Sequence, residues 1–337
     1  MLTPKEVLKQ SEAAFGQWVD IWDSHAEKNG KKYKEDGRSQ NELLFCGVGK
    51  KLVCVGMGSS FEDNIETLKE KSDDIDVACV DKAYYYLMEN GIKPKFVFLA
   101  DAGISYDNYC KKYIDDTEDV ILISNVTANV DWTLQWKGPV YFYVNKDNIK
   151  TEERYSKISG CNEIIPAASN VGNSIIVFST QIFGYDEYLL LGYDYCFGYD
   201  DNYYAFEDKD KRYWMNHHIM VDKAGRLVKT SQNLLFSARW LNDFNDTQLK
   251  QRGVKIYDCC GKGICGFSTA NLKKKLNHTK RKLSDIEKQQ IFNASKQQIL
   301  IDAKEGDKKL NESLNNNHVT DIIINHVPQR IINILEA

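Results

Sequence analysis

Leu52-Val53-Cys54-Val55-Gly56-Met57-Gly58-Ser59-Ser60-Phe61 is a short apolar run that breaks into glycines and serines. A strand buried on both faces of a parallel sheet reads as a continuous apolar run. Glycines at its carboxyl end permit a tight turn and a close backbone approach to a ligand. Phe61, Ile65 and Leu68 then recur at helical spacing, and Ser59 with Glu62, or Ser60 with Asp63, has the spacing of a capping box. The stretch predicts strand, turn and helix, with the free N–H groups and positive dipole end of the helix facing an anion. It is neither the three-glycine dinucleotide fingerprint nor a P-loop, because no Gly-Lys-Ser/Thr follows. A serine-capped turn with no ligand fits the same residues.

The rhythm continues outward. Apolar or β-branched runs at 77–80, 96–99, 120–123, 140–144, 188–191 and 254–257 read as strands. Helical phase appears over 82–90, stopped by Gly91, and again over 171–183 and 234–244. Such alternation predicts an α/β, Rossmann-like, doubly wound and mostly parallel sheet, with ligands bound beyond the strand carboxyl ends. Upstream, Thr3 as N-cap, Pro4 and Glu6, followed by Val7, Ala14, Trp18 and Ile21, predict a docking helix from residue 3 to about 27. The polar residues 28–41 read as a separator. Three parts follow: an N-terminal helical segment (1–44), a Rossmann-like domain (45–276) and a polar, helical C-terminal appendage (277–337) suited to homo-oligomer formation.

The 337 residues allow one large domain with appendages. A formal net charge of −4 argues against chain-wide attraction to nucleic acid or anionic lipid. Lys273-Lys274-Lys275 and Lys280-Arg281-Lys282 read as a solvated basic face. No stretch reaches the ~20 apolar residues of a membrane helix, and the first residues lack a signal-peptide core, so no membrane span and a cytoplasmic location are expected. The nine cysteines are scattered, and several, such as Cys54 and Cys79, lie in apolar runs where a thiol packs as a small hydrophobe. Cys259, Cys260 and Cys265 cluster without paired spacing or a histidine neighbour, so no metal centre is expected.

Residues 199–218 break the strand and helix rhythm. They are aromatic and acidic, with Tyr203, Tyr204, Tyr213, Trp214 and the pair His217-His218. A long irregular segment directly after a strand reads as a functional lid. Within it Asp208-Lys209-Asp210 matches the short DxD pattern of metal-using glycosyltransferases, although a solvated acidic loop has the same composition.

Four blocks in this order resemble the MptE-like family of 6-hydroxymethyl-dihydropterin diphosphokinases and motility accessory factor (Maf) flagellin glycosyltransferases. They are the turn Gly56–Ser60, the run from Asn90-Gly91-Ile92 through Pro94 to Asp101, the turn Ala168-Ser169-Asn170-Val171-Gly172-Asn173-Ser174, and the run from Phe183-Gly184 to Gly192-Tyr193-Asp194-Tyr195. The resemblance covers roughly residues 45 to 275 and departs from the family where Gly58-Ser59-Ser60 lacks the usual proline. The blocks are also similar to those of bacterial sialyltransferases that use a CMP-sugar, in which lid tyrosines hold the leaving phosphate and a histidine acts as base.

The resemblance implies a nucleotide gripped between two small-residue turns. Gly56, Gly58, Ser59 and Ser60 would hold phosphate, Ser169, Asn170, Gly172 and Asn173 would form the opposite rim, and Asp101 and Asp194 would complete the nucleotide site. Tyr195, Tyr204 and Tyr213 would stabilise the leaving group, and His217 or His218 would take a proton. The favoured activity is glycosyl transfer from a CMP-type nucleotide sugar to a glycan or protein hydroxyl, with no metal. A diphosphokinase would instead use ATP, magnesium and a pterin acceptor, with Asp101 as one oxygen ligand. A nucleotide fold serving only as a binding or assembly module is the third reading.

Overall fold

A computed structural model describes residues 4–71, 75–146, 149–206 and 217–277. The apolar runs form strands β1 (Lys51–Val55), β2 (Ile75–Val80), β3 (Phe96–Leu99), β4 (Ile121–Asn125), β5 (Val140–Lys146), β6 (Ile164–Pro166) and β7 (Glu187–Leu191), followed by β8 (His217–Val221), β9 (Leu227–Ser231), β10 (Lys255–Asp258) and β11 (Ser268–Thr269). Nine of them make one sheet in the order β11-β10-β7-β1-β2-β3-β4-β5-β6, and every pair in it is parallel. β1, β2 and β3 are buried along their whole length, as an apolar run without alternation requires. The Rossmann-like α/β fold is as expected.

Chain order runs outward from β1 to β6, then returns to lay β7 against the other side of β1. That reversal is the switch point of a doubly wound sheet, where a crevice opens beyond the strand carboxyl ends. Register fixes what meets there. Val55 pairs with both Cys79 and Leu191, so Gly56 and Gly192 leave the sheet side by side and Val80-Asp81 leaves next to them.

Three local expectations change. The N-terminal helix, with Pro4 at its first position, runs to Asp36 and so absorbs most of the polar separator. It packs on the helices Val130–Gln135 and Ile149–Ser159, and Asn29, fully buried, donates to Val126 O and Ala128 O at 2.9 and 3.0 Å. The helix after Gly58 is a six-residue 3-10 turn, Ser59–Asn64, followed by Ile65–Leu68; Gly58 is its cap and neither serine makes a capping bond. The lid ends sooner than expected, because β8 and β9 pair as an antiparallel hairpin from His217 to Ser231.

At the opposite end of the sheet Lys51 is buried, and its ammonium donates to Lys275 O at 2.6 Å at the carboxyl end of the helix Leu272–Asn277. A cation there meets the negative end of the helix dipole. The expected C-terminal appendage lies almost wholly outside the described residues, as does the second half of the basic cluster. No helix among the described residues is long and apolar enough to cross a membrane.

Candidate functional site

A cavity of about 230 Å³ opens over the switch point, and Gly56 and Gly58 line it on one side while Asn170, Val171 and Gly172 line it on the other. The two small-residue turns therefore face each other. The first turn is locked to the exit of β7: Gly56 N–H donates to Leu191 O at 2.8 Å and Gly58 N–H to Gly192 O at 2.9 Å. The glycines are needed for this contact. A Cβ on Gly58 would lie 2.8 Å from the Asp194 carboxylate, and one on Gly192, whose φ is +67°, would lie 2.5 Å from Gly56 O.

Ser59 and Ser60 do not take the role expected of them. Ser60 is fully buried, its N–H donates to Asp194 Oδ2 at 2.8 Å and its hydroxyl donates to Asp194 Oδ1; the Ser59 hydroxyl donates to Asp194 Oδ2 at 3.3 Å. The anion at this turn is the protein's own carboxylate, delivered by β7. Burial pushes the Asp194 carboxyl above its ordinary value while the Ser60 donors hold it down. Asp194 is thus a strut of the site, and neither serine is among the residues lining the cavity.

The second turn divides in the same way. Asn170 caps the helix Val171–Phe178 by accepting from Asn173 N–H at 2.8 Å. Asn173 is buried and wholly engaged: its amide donates to Ser169 Oγ at 2.8 Å and Ser237 O at 3.1 Å, and its oxygen accepts from the Tyr195 hydroxyl at 2.5 Å. Asn170 and the first-turn backbone of Val171 and Gly172 remain on the cavity wall. First-turn amides have no acceptor within their own helix, which makes this the anion-seeking wall of the cavity. Tyr193 closes the corner by donating its hydroxyl to Gly172 O at 2.8 Å.

Tyr195, just past β7, lines the cavity, and so do Tyr203 and Tyr204 from the lid. Tyr195 holds φ +53°, a left-handed conformation that costs a non-glycine residue energy and is retained where the surroundings fix it. The described part of the lid is docked on the first turn, with Ala205 N–H donating to Met57 O at 2.8 Å. Tyr213 lies outside the described residues, as does the DxD triplet. His218 Nε2 is 2.9 Å from Gln232 Oε1, and His218 is not among the residues lining the cavity. His217 is placed by its backbone alone, opposite Ser231 in the hairpin. Asp101 lines the cavity and also behaves as a turn residue, its Oδ1 accepting from Gly103 N–H at 2.7 Å.

Two charged lining residues went unnoticed in the sequence. Asp81 and Lys82 open the helix Asp81–Glu89 directly beyond β2. The Lys82 ammonium sits 3.8 Å from the centre of the Tyr204 ring and is the single cation among the described lining residues. Asp81 is buried; Oδ1 accepts from Lys82 N–H at 2.8 Å and Oδ2 has no hydrogen-bond partner. Burial pushes its carboxyl up to about 7, opposed by the Lys82 N–H and reinforced by the charge of Asp101. The available signal was positional: residues just past the parallel strands beside the switch point border the crevice. Among the described residues no group of three or more His, Cys, Asp or Glu side chains is arranged to hold a metal ion.

Comparison with known proteins agrees with this architecture. Among solved structures, the MAf glycosyltransferase from Magnetospirillum magneticum AMB-1 superposes with a TM-score of 0.54 at 16% identity, covering 85% of this chain. This chain spans 44% of that protein's length, and at such identity the likeness is one of fold. No curated protein matches in sequence. The model of the family described as 6-hydroxymethylpterin diphosphokinase MptE-like matches residues 24–200, more than half of the 337-residue chain and most of the sheet that carries the cavity. This chain belongs to that MptE-like family.

Proposed function

We propose that the chain is a nucleotide-dependent transferase that moves a glycosyl group from a nucleotide sugar of the CMP type to a hydroxyl acceptor. The observation that carries this reading is the meeting of Gly58, Gly172, Tyr195, Tyr204 and Lys82 at one cavity. The acceptor oxygen bonds to the anomeric carbon as the bond from that carbon to the phosphate oxygen breaks. The electron pair leaves with the nucleotide phosphate and the acceptor's proton passes to a base. Lys82, the first-turn amides at Val171 and Gly172 and the Tyr204 hydroxyl supply positive charge and donors to the departing phosphate, while Tyr195, its hydroxyl committed to Asn173, shapes the wall. The base in this reading is Asp81, which lines the cavity and whose carboxyl burial pushes up to about 7, near neutrality.

Charge balance favours this donor. Lys82 offsets Asp101, and Asp81 is only partly ionised near neutrality, so the wall is close to neutral. Such a wall takes the single negative charge of a phosphodiester, whereas a triphosphate brings about four and calls for a counter-cation. A second reading, diphosphate transfer from ATP to a pterin alcohol, is favoured by the unpartnered Asp81 oxygen. Magnesium binds through one or two carboxylates together with substrate phosphates and water, and Asp81 with Asp101 meets that minimum.

Thermal-shift titration with CMP, CDP, UDP, ATP and GTP, each with and without magnesium, separates the readings. Stabilisation by cytidine nucleotides without metal supports glycosyl transfer. Stabilisation by ATP only with magnesium supports the kinase, and silence throughout leaves a non-catalytic module. For the base, Asp81→Asn is expected to bind nucleotide and lose turnover; loss with His217→Ala or His218→Ala instead returns the role to the hairpin.

A further inference from the structure

The N-terminal helix carries an aromatic side chain to the turn 101–104, two residues of which line the cavity. Trp18 is 36% exposed and Ile21, on the same helix face one turn later, is 42% exposed. A Cβ on Gly103 would lie 3.0 Å from Trp18 Cη2 and 3.5 Å from Asp101 Oδ1. The indole edge and the carboxylate therefore flank the same bare Cα. Asp101 and Ile104, from the same turn, line the cavity.

This corner is rigid. Asn129 Nδ2 donates to Ile104 O at 3.0 Å and to Ala102 O at 3.4 Å, and Asn129 N–H donates to Asp101 O at 3.2 Å. The helix is pinned by buried Asn29, whose oxygen accepts from Thr133 Oγ1 at 2.5 Å, and by Arg154 Nε donating to Asp23 Oδ1 at 2.9 Å.

We propose that Trp18 and Asp101 form an acceptor subsite for a sugar ring, the indole stacking on its C–H face and the carboxylate accepting from its hydroxyls. A sugar presents an apolar ring face and a polar hydroxyl edge, and a rigid aromatic beside a fixed carboxylate matches both. The carboxylate reaches the cavity wall, so a sugar seated here adjoins the donor. Trp18 lies on the helix Pro4–Asp36, six residues before the stretch matched by the family model, 24–200. The assignment rests on the glycosyl-transfer reading.

The test uses the full chain with Trp18→Ala and Trp18→Phe. Each protein is applied to a glycan array in the presence of CMP, and CMP binding is measured separately by calorimetry. Wild type and Trp18→Phe are expected to bind a subset of glycans, Trp18→Ala to bind them at least tenfold more weakly, and all three to bind CMP equally. Unchanged glycan binding by Trp18→Ala overturns the subsite, as does a wild type that binds CMP and no glycan. Loss of CMP binding together with glycan binding in Trp18→Ala overturns it as well, since the effect is then not confined to the acceptor. A wild type that fails to bind CMP removes the donor reading, and the acceptor subsite with it.

Discussion

The carboxylate of Asp194 accepts both the backbone N–H and the hydroxyl of Ser60, across 134 residues of chain. Two neighbouring parallel strands thereby exchange more than their ladder bonds: the loop leaving β7 supplies the charge that orders the loop leaving β1. Asp194→Ala leaves two buried donors without an acceptor, at roughly 1–3 kcal/mol each, and is expected to destabilise the fold by about 2–6 kcal/mol. Ser60→Ala removes one donor and keeps the other bond, so its cost is expected near 1 kcal/mol. Urea unfolding of both variants checks the order, and a smaller cost for Asp194→Ala would contradict the strut.

Asp81 makes stability depend on pH in a direction opposite to a salt-bridged carboxylate. Its folded pKa of about 7 lies above the usual 3.8, so the folded state holds the proton more tightly and stability falls as pH rises between those values. Asp81→Asn removes that slope. At ~1.4 kcal/mol per pH unit, the stability of the variant relative to wild type should grow by about 2–3 kcal/mol from pH 5 to pH 8. A gap independent of pH would mean that the carboxyl titrates normally.

Gly192 and Gly91 share a left-handed backbone, with φ +67° and +70°, but differ in surroundings. Nothing lies within 4 Å of a Cβ on Gly91, whereas Gly56 O would be 2.5 Å from one on Gly192. Gly91→Ala should cost about 1–2 kcal/mol from strain alone. Gly192→Ala adds overpacking of about 1–3 kcal/mol and should also weaken nucleotide binding, because the first turn must move. Equal thermal shifts for the two variants would argue against the loop contact.

Under the proposed glycosyl transfer, Lys82, the single cation among the described lining residues, anchors the donor phosphate. Lys82→Ala is expected to weaken nucleotide binding by tenfold or more at low salt, the equivalent of one charge-assisted hydrogen bond. The loss should shrink as salt rises, since screening already weakens the wild-type contact. Calorimetry at two ionic strengths reads both effects, and unchanged affinity would put the phosphate elsewhere.

Much of the fold was legible because a parallel sheet buries its strands on both faces and leaves an apolar signature; Phe96–Leu99 is the same in the sequence reading and in the structure. β6 is three residues long with a proline and β11 only two, too short for any pattern. The hairpin escaped notice because Ile219, Val221 and Leu227 are exposed while polar Thr230 is buried, which inverts the usual alternation. The glycine turns of the site were legible from local chemistry. The employment of Ser59 and Ser60 was not, because a hydroxyl serves a phosphate or a distant carboxylate equally well, and only the placement of β7 beside β1 decides between them. Asp81 and Lys82 look like any charged helix opening until β2 is known to border the switch point.

The buried ammonium of Lys51, resting on the carbonyl of Lys275, has a practical corollary for trimming the chain. A stop codon placed upstream of Lys275 would take away that carbonyl and leave an interior charge at the base of the central strand. Shortened versions meant to isolate the nine-stranded sheet should therefore retain the helix through Asn277.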